Sequence, residues 1–263
     1  MSAAAGPVAS DARGGARGGL AARLRRRLAR APGPWLKPVV FVALLVPFGR
    51  LVQALLAGGL GPDPIEALTH ATGELALQCL LLSLALTPLR LWLKAAWPVR
   101  LRRMIGLFAF FYAALHVAIW VALDQELDLA LMLADVVRRP YVLAGTVAFA
   151  ILVPLAATST RRIARRLGAR WGALHRGVYL AAAAATVHWA WLAKGEILEP
   201  WAYVGALAAL LAVRFAELAS AGRPRGQPGR RSLTVSRSSL SSVSLARTFS
   251  AIASDISSPC TIS

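Results

Sequence analysis

Six apolar runs, each close to twenty residues long and separated by short polar or charged segments, dominate this chain of 263 residues. They fall at about 38–57, 74–93, 104–123, 140–158, 173–193 and 201–219. A hydrocarbon core about 30 Å thick is crossed by about 20 helical residues, so each run has the length of one crossing. Helices rather than strands are expected, because the runs are continuous and Ala/Leu-rich and a helix satisfies its own backbone in lipid. The sequence predicts an all-α polytopic membrane protein, a six-transmembrane-helix bundle. With 57% hydrophobic and only 16% charged residues, a soluble fold is excluded.

The net charge of +18 sits in a few clusters, and these set the orientation. Eight Lys or Arg precede the first run and none lies in 58–73; five run from Arg90 to Arg103, and two lie in 124–139. Five more run from Arg161 to Arg170, and one lies in 194–200. By the positive-inside rule both termini and the second and fourth loops are cytoplasmic. The segments carrying Asp63, Glu66, Asp124, Glu126, Asp128, Asp135, Glu196 and Glu199 face outward. A multi-pass membrane protein fits this pattern.

Residues 1–34 form an Arg-rich arm, read as disordered and cytoplasmic, with a transit peptide as the alternative. The membrane domain covers 35–219. Residues 220–263 form a Ser/Arg-rich cytoplasmic tail without periodicity, also read as disordered. The first run is too long for a signal-peptide core and lacks a small-residue cleavage site, so it reads as a retained span. A basic chain can bind phosphates, but here the cations flank apolar runs, so lipid and not nucleic acid is the expected partner. Cys79 and Cys260 form no CxxC or CxxCH pattern, which excludes a zinc finger and covalent haem. No phosphate-binding glycine loop and no repeat occurs.

Of four histidines, His116, His175 and His188 fall inside predicted spans, where an imidazole needs a partner. For one such residue an interhelical hydrogen bond is the ordinary role; three together point to a cofactor. His116 lies eight residues before Asp124 and His188 six before Lys194, so they sit ~12 Å and ~9 Å below the outer surface. Two imidazoles at one depth on different helices can clamp an iron porphyrin, which predicts His116 and His188 as axial ligands of one b-type haem. Phe108, Phe110, Phe111, Tyr112, Trp120, Trp189 and Trp191 can pack on such a ring, or serve equally as packing and interfacial residues.

His175 lies thirteen residues before His188, ~20 Å away along one helix, and so at the cytoplasmic side. A second haem there needs a partner where the third helix carries Arg102 and Arg103; Met104 is a weak alternative, and an inner flavin or quinone site stays open. His70, in Thr69-His70-Ala71-Thr72-Gly73, reads as a solvated histidine of the outward loop, with a quinone pocket or interface as the second option. Arg214 can snorkel to the cytoplasm, while Arg50 sits mid-span and needs a partner such as a haem propionate.

Several motifs carry a family resemblance. They are Gly58-Gly59-Leu60-Gly61-Pro62-Asp63-Pro64, His70-Ala71-Thr72-Gly73, Leu86-Thr87-Pro88-Leu89, Arg102-Arg103-Met104-Ile105-Gly106-Leu107 and Leu115-His116. Further on come Arg139-Pro140-Tyr141, Thr158-Ser159-Thr160, Trp171, Leu174-His175, Val178-Tyr179-Leu180 and His188-Trp189. Over about residues 35–218 the chain resembles the MsrQ (YedZ) family, haem-binding membrane subunits of bacterial periplasmic protein-methionine-sulfoxide reductase systems, in the ferric-reductase-like transmembrane group.

The resemblance implies a ferric-reductase-like bundle with haem b. Electrons would pass from the quinone pool to a periplasmic molybdopterin-containing methionine sulfoxide reductase that repairs oxidised proteins. The family's haem histidines fall on His116 and His188, and its further functional histidine on His175. The family is also associated with FMN, for which nothing in this sequence marks a site. The arm and the tail extend beyond the family core. Two other readings compete: a stand-alone cytochrome b-type ferric or quinone reductase, and a haem-free transporter or assembly factor whose histidines bind a metal or move protons.

Overall fold

The computed structural model describes residues 33–192 and 199–221. The basic arm before Gly33, Lys194, Glu196 and the tail from residue 222 onward lie outside the described residues, as do the readings placed on them. The described chain is helical throughout. Four of its helices are long and apolar enough to cross a membrane: Leu36–Leu56, Pro64–Leu93, Trp97–Asp124 and Pro140–Ala157. The protein is a membrane protein built from helices.

Helix α1 (Leu36–Leu56) has no buried residue and presents Val39, Phe41, Val42 and Leu45 outward, as a lipid-facing helix does. It is held to the helix over Trp97–Ile119 by the Tyr112 hydroxyl, which donates to the Leu44 carbonyl at 2.6 Å, and by edge contacts of Phe41 with Phe108 and Phe48 with Phe111.

Helix α2 (Pro64–Leu93) starts where Asp63 accepts from the Glu66 N–H at 2.9 Å and Pro64 fits the first turn. Its 30 residues exceed one crossing. The sequence placed His70 in a loop before a span starting at 74, and the structure corrects this: residues 64–73 are the first turns of the same helix. The polar side chains that resemble a loop serve the helix instead, with the Thr69 and Thr72 hydroxyls donating back to the Ile65 and Leu68 carbonyls at 2.7 Å.

Helix α3 (Trp97–Ile119) runs on through one wide π-helical turn, Trp120–Asp124. The segment that follows is not all loop, since it contains α4 (Leu129–Arg138), capped by Asp128. Helix α5 (Pro140–Ala157) matches the fourth apolar run. Two short cationic helices, α6 (Arg161–Leu167) and α7 (Ala169–His175), precede α8 (Gly177–Leu192). The chain therefore turns at Arg176, so the fifth apolar run is not one straight helix. Helix α9 (Glu199–Ala221) closes the described chain.

Two antiparallel pairs organise the bundle, α2 with α3 and α5 with α8; α9 packs on α8 and α2. Leu77, Leu80, Leu81 and Leu84 of α2 meet Leu101, Ile105, Phe108 and Tyr112 of α3 in the core. Ala109, Ala181 and Ala182 are fully buried, small residues that let helix backbones approach closely. Between the pairs, Phe110 of α3 stacks on Phe149 of α5 with ring centres 5.9 Å apart.

Candidate functional site

The packing of α3 and α8 brings the His116 and His188 rings together. Their ring centres are 6.1 Å apart and the ring planes are inclined by 77°. A metal–imidazole bond is about 2 Å long and a ring nitrogen lies about 1 Å from its ring centre, so two imidazoles in line on one metal have centres about 6 Å apart. Both residues are half-buried. The donor set therefore fits an iron porphyrin gripped between α3 and α8.

Each ring is also anchored from a second helix. His116 Nδ1 lies 2.9 Å from the Thr69 carbonyl oxygen on α2, and His188 Nδ1 lies 2.7 Å from the Tyr141 carbonyl oxygen on α5. A carbonyl can only accept, so Nδ1 carries the proton on both rings and donates it. The lone pair is then left on Nε2, the atom that binds a metal when the other ring nitrogen is held in this way. Among the described residues no three His, Cys, Asp or Glu groups converge as a metal site, so the pair offers two axial positions and not a complete protein cage.

His175 is not brought to this pair. At the end of α7 its ring stacks on Trp171, with centres 4.0 Å apart, and its Nε2 lies 3.1 Å from the Thr158 hydroxyl. That hydroxyl gives its own proton to the Pro154 carbonyl at 2.7 Å, so His175 Nε2–H is the donor to Thr158. Arg102 reaches Thr87 at 3.3 Å on the same side of the bundle. His70 is exposed, 4.0 Å from Glu66 and in edge contact with Trp189, the neighbour of His188. Arg50 is exposed on α1, and Arg214 pairs with Glu217 at 2.9 Å.

Beside the histidine pair lies a buried polar group that hydropathy does not reveal. Glu74 accepts from Gln78 at 2.9 Å and from the Tyr203 hydroxyl at 2.8 Å, joining α2 to α9. Trp189 lies against Tyr203 with ring centres 6.0 Å apart. His70, Glu74 and Gln78 recur every four residues along one side of α2, a spacing visible in the sequence but hidden by the loop reading of 58–73. At the start of α5 Arg139 pairs with Asp135 at 3.3 Å and donates to the Tyr141 hydroxyl at 3.3 Å. That hydrogen bond, more than the Asp135 charge, pushes its guanidinium pKa up.

Comparison with known proteins agrees with this architecture. The family model of the ferric reductase like transmembrane component matches residues 72–186, from α2 into α8. The chain is 48% identical over 176 residues to a Rhodospirillum rubrum protein, covering 66% of this chain and 85% of that one. It is 46% identical over 190 residues to a Bordetella pertussis protein, covering 72% and 92%. It is 44% identical over 203 residues to a Deinococcus radiodurans protein, covering 76% and 100%. All three carry the name protein-methionine-sulfoxide reductase heme-binding subunit MsrQ. With that identity across nearly the whole length of each relative, the chain belongs to the MsrQ family.

Proposed function

We propose that the chain is the haem b-containing electron-transfer subunit of a bacterial inner-membrane protein-methionine-sulfoxide reductase system. It takes electrons from quinol and passes them to a periplasmic molybdopterin-containing reductase subunit, which repairs oxidised methionines. The observation that carries this reading is the facing pair His116 and His188, each with Nδ1–H given to a main-chain carbonyl and Nε2 free to ligate. The heme-binding name of the MsrQ relatives supports it.

When bound, haem b supplies a one-electron carrier whose potential follows its axial nitrogens and its burial. The chain's own residues do the rest. His116 and His188 would hold the iron, with the Thr69 and Tyr141 carbonyls fixing the imidazole tautomers and raising Nε2 basicity. The apolar walls of α3 and α5, including Phe110 and Phe149, exclude water. His70, exposed beside Trp189, is assigned to the quinone or partner interface, and His175 to the cytoplasmic side away from the pair. FMN has no residue assigned to it and plays no part here.

The six apolar runs correspond to α1, α2, α3, α5, the α7–α8 segment and α9, and we take all six to cross the bilayer. Helix α8 has 16 residues, ~24 Å of rise, so α7 must complete that crossing. The cation-rich α6 and the Arg90–Arg103 segment lie on the cytoplasmic side with both termini.

Purified protein should give a b-type pyridine haemochrome and a six-coordinate low-spin spectrum, both lost in His116→Ala and in His188→Ala. Reduced protein should then be reoxidised on mixing with the periplasmic reductase and oxidised methionine. Unaltered spectra in the two variants would overturn the ligand assignment. Reoxidation by ferric chelates or quinone alone would favour the stand-alone reductase, and a colourless preparation a transporter or assembly role.

A further inference from the structure

Both histidine rings rest on a glycine. A Cβ placed on Gly73 would lie 3.0 Å from His116 Nδ1 and 3.1 Å from its Cε1; one on Gly145 would lie 3.0 Å from His188 Nδ1 and 3.1 Å from its Cε1. Gly49, Gly106, Gly172 and Gly205, also helical, meet nothing within 4 Å. The carbonyls that receive the Nδ1 protons belong to Thr69 and Tyr141, and each lies four residues before its glycine. The same device thus appears twice, once on α2 facing α3 and once on α5 facing α8.

The spacing has a physical cause. In an α-helix residues i and i+4 share a face, and a side chain leans back over the turn that precedes it. Any side chain at i+4 therefore crowds the carbonyl of residue i, which already accepts from the helix's own N–H; the Thr69 carbonyl also has the Thr72 hydroxyl at 3.1 Å, but that hydroxyl is closer to the Leu68 carbonyl at 2.7 Å, which leaves a lone pair for a further donor. Only glycine leaves that lone pair open to an imidazole arriving from another helix. We propose that Gly73 and Gly145 are positioning residues for the ligand pair. By baring the Thr69 and Tyr141 carbonyls they fix the tautomer and rotation of His116 and His188, and hold the two planes close to perpendicular. This rests on the reading of the two histidines as axial ligands.

A main-chain carbonyl neither titrates nor swings away, so each ring's rotation is set by helix packing alone. For a ferric low-spin iron, perpendicular imidazole planes give a strongly anisotropic electron paramagnetic resonance signal, and parallel planes a rhombic one. An alanine at either glycine would force the ring to turn or withdraw by a few tenths of an ångström and would lengthen and misalign its Nδ1 hydrogen bond. Alanine is the better helix former, so the change does not act by damaging the helix.

The test uses the full chain with haem bound, as wild type, Gly73→Ala and Gly145→Ala, with Gly106→Ala and Gly205→Ala as controls. The expected result is a shift of the low-field resonance and roughly tenfold or greater weakening of haem retention in each of the first two. The controls should match wild type in both readouts. Each seat is tested by its own variant, and circular dichroism in the same preparations reports helix content. Wild-type resonance and haem occupancy in Gly73→Ala or Gly145→Ala overturn the proposal for that seat. A wild-type spectrum in His116→Ala or His188→Ala would instead remove the ligand reading beneath it.

Discussion

The imidazole of His175 gives its Nε2 proton to the hydroxyl of Thr158, 3.1 Å away, while its face is covered by Trp171. The nitrogen that would reach a metal is thus already used, and the ring belongs to the junction of α7 with the end of α5. His175→Ala is expected to keep the six-coordinate spectrum and full haem content that His116→Ala and His188→Ala lose. Pyridine haemochrome of the three variants checks this. Loss of one haem equivalent in His175→Ala alone would mean a second haem at the cytoplasmic side.

Tyr112, fully buried, adds a hydrogen bond to the apolar contacts that hold α1, a helix with no fully buried side chain of its own. Removing the hydroxyl in Tyr112→Phe leaves the ring packing intact and deletes only the bond to the Leu44 carbonyl. Interhelical hydrogen bonds in membranes are worth about 0.6 kcal/mol on average and up to about 1.7. For a domain of this size the unfolding midpoint in detergent should fall by roughly 1–7 °C. Proteolysis in the α1–α2 connection, residues 57–63, should speed up.

Much of the helix placement is legible in the sequence because lipid imposes a length and an apolar surface. What hydropathy could not give is structure driven by side-chain hydrogen bonds. Thr69, His70 and Thr72 look like loop residues, yet their hydroxyls and the Asp63 cap extend α2 outward by ten residues. Helix α4 hid in an outward segment too short to cross anything. The facing of His116 and His188 followed from counting depth. Their anchors did not, since a main-chain carbonyl and a missing Cβ have no side-chain signature.

The Glu74, Gln78 and Tyr203 group is the main polar tie between α2 and α9. Tyr203→Phe removes the donor to Glu74 and the acceptor for Gln78 while preserving the ring against Trp189. Leaving buried polar atoms short of partners costs about 1–3 kcal/mol. The variant is therefore expected to unfold several degrees earlier, with its haem spectrum, referred to haem content, unchanged. Gln78→Leu should behave alike, because Gln78 also touches Tyr203. The double variant should lose less than the sum of the two, as contacting residues do. An additive double variant would mean that the two side chains act independently.

Orientation gives a last test that does not depend on haem. Alkaline phosphatase acquires its disulfides and activity only outside the cytoplasm, whereas green fluorescent protein fluoresces when left inside. Fusions after Asp63 and after Glu126 should be active phosphatases and dark as fluorescent fusions, because those segments are poor in Lys and Arg. Fusions after Lys94 and after Arg166 should behave in the opposite way. A fusion after Phe215, beyond most of α9, should report the cytoplasm if the α7–α8 segment and α9 both cross. The weakest crossing by length is α8, so Ala181→Arg, in its fully buried helix face, should be the change most able to disturb the reporter after Phe215. A phosphatase-active fusion at that position in the unaltered chain would mean five crossings instead of six, with His188 still level with His116 but α9 on the other side.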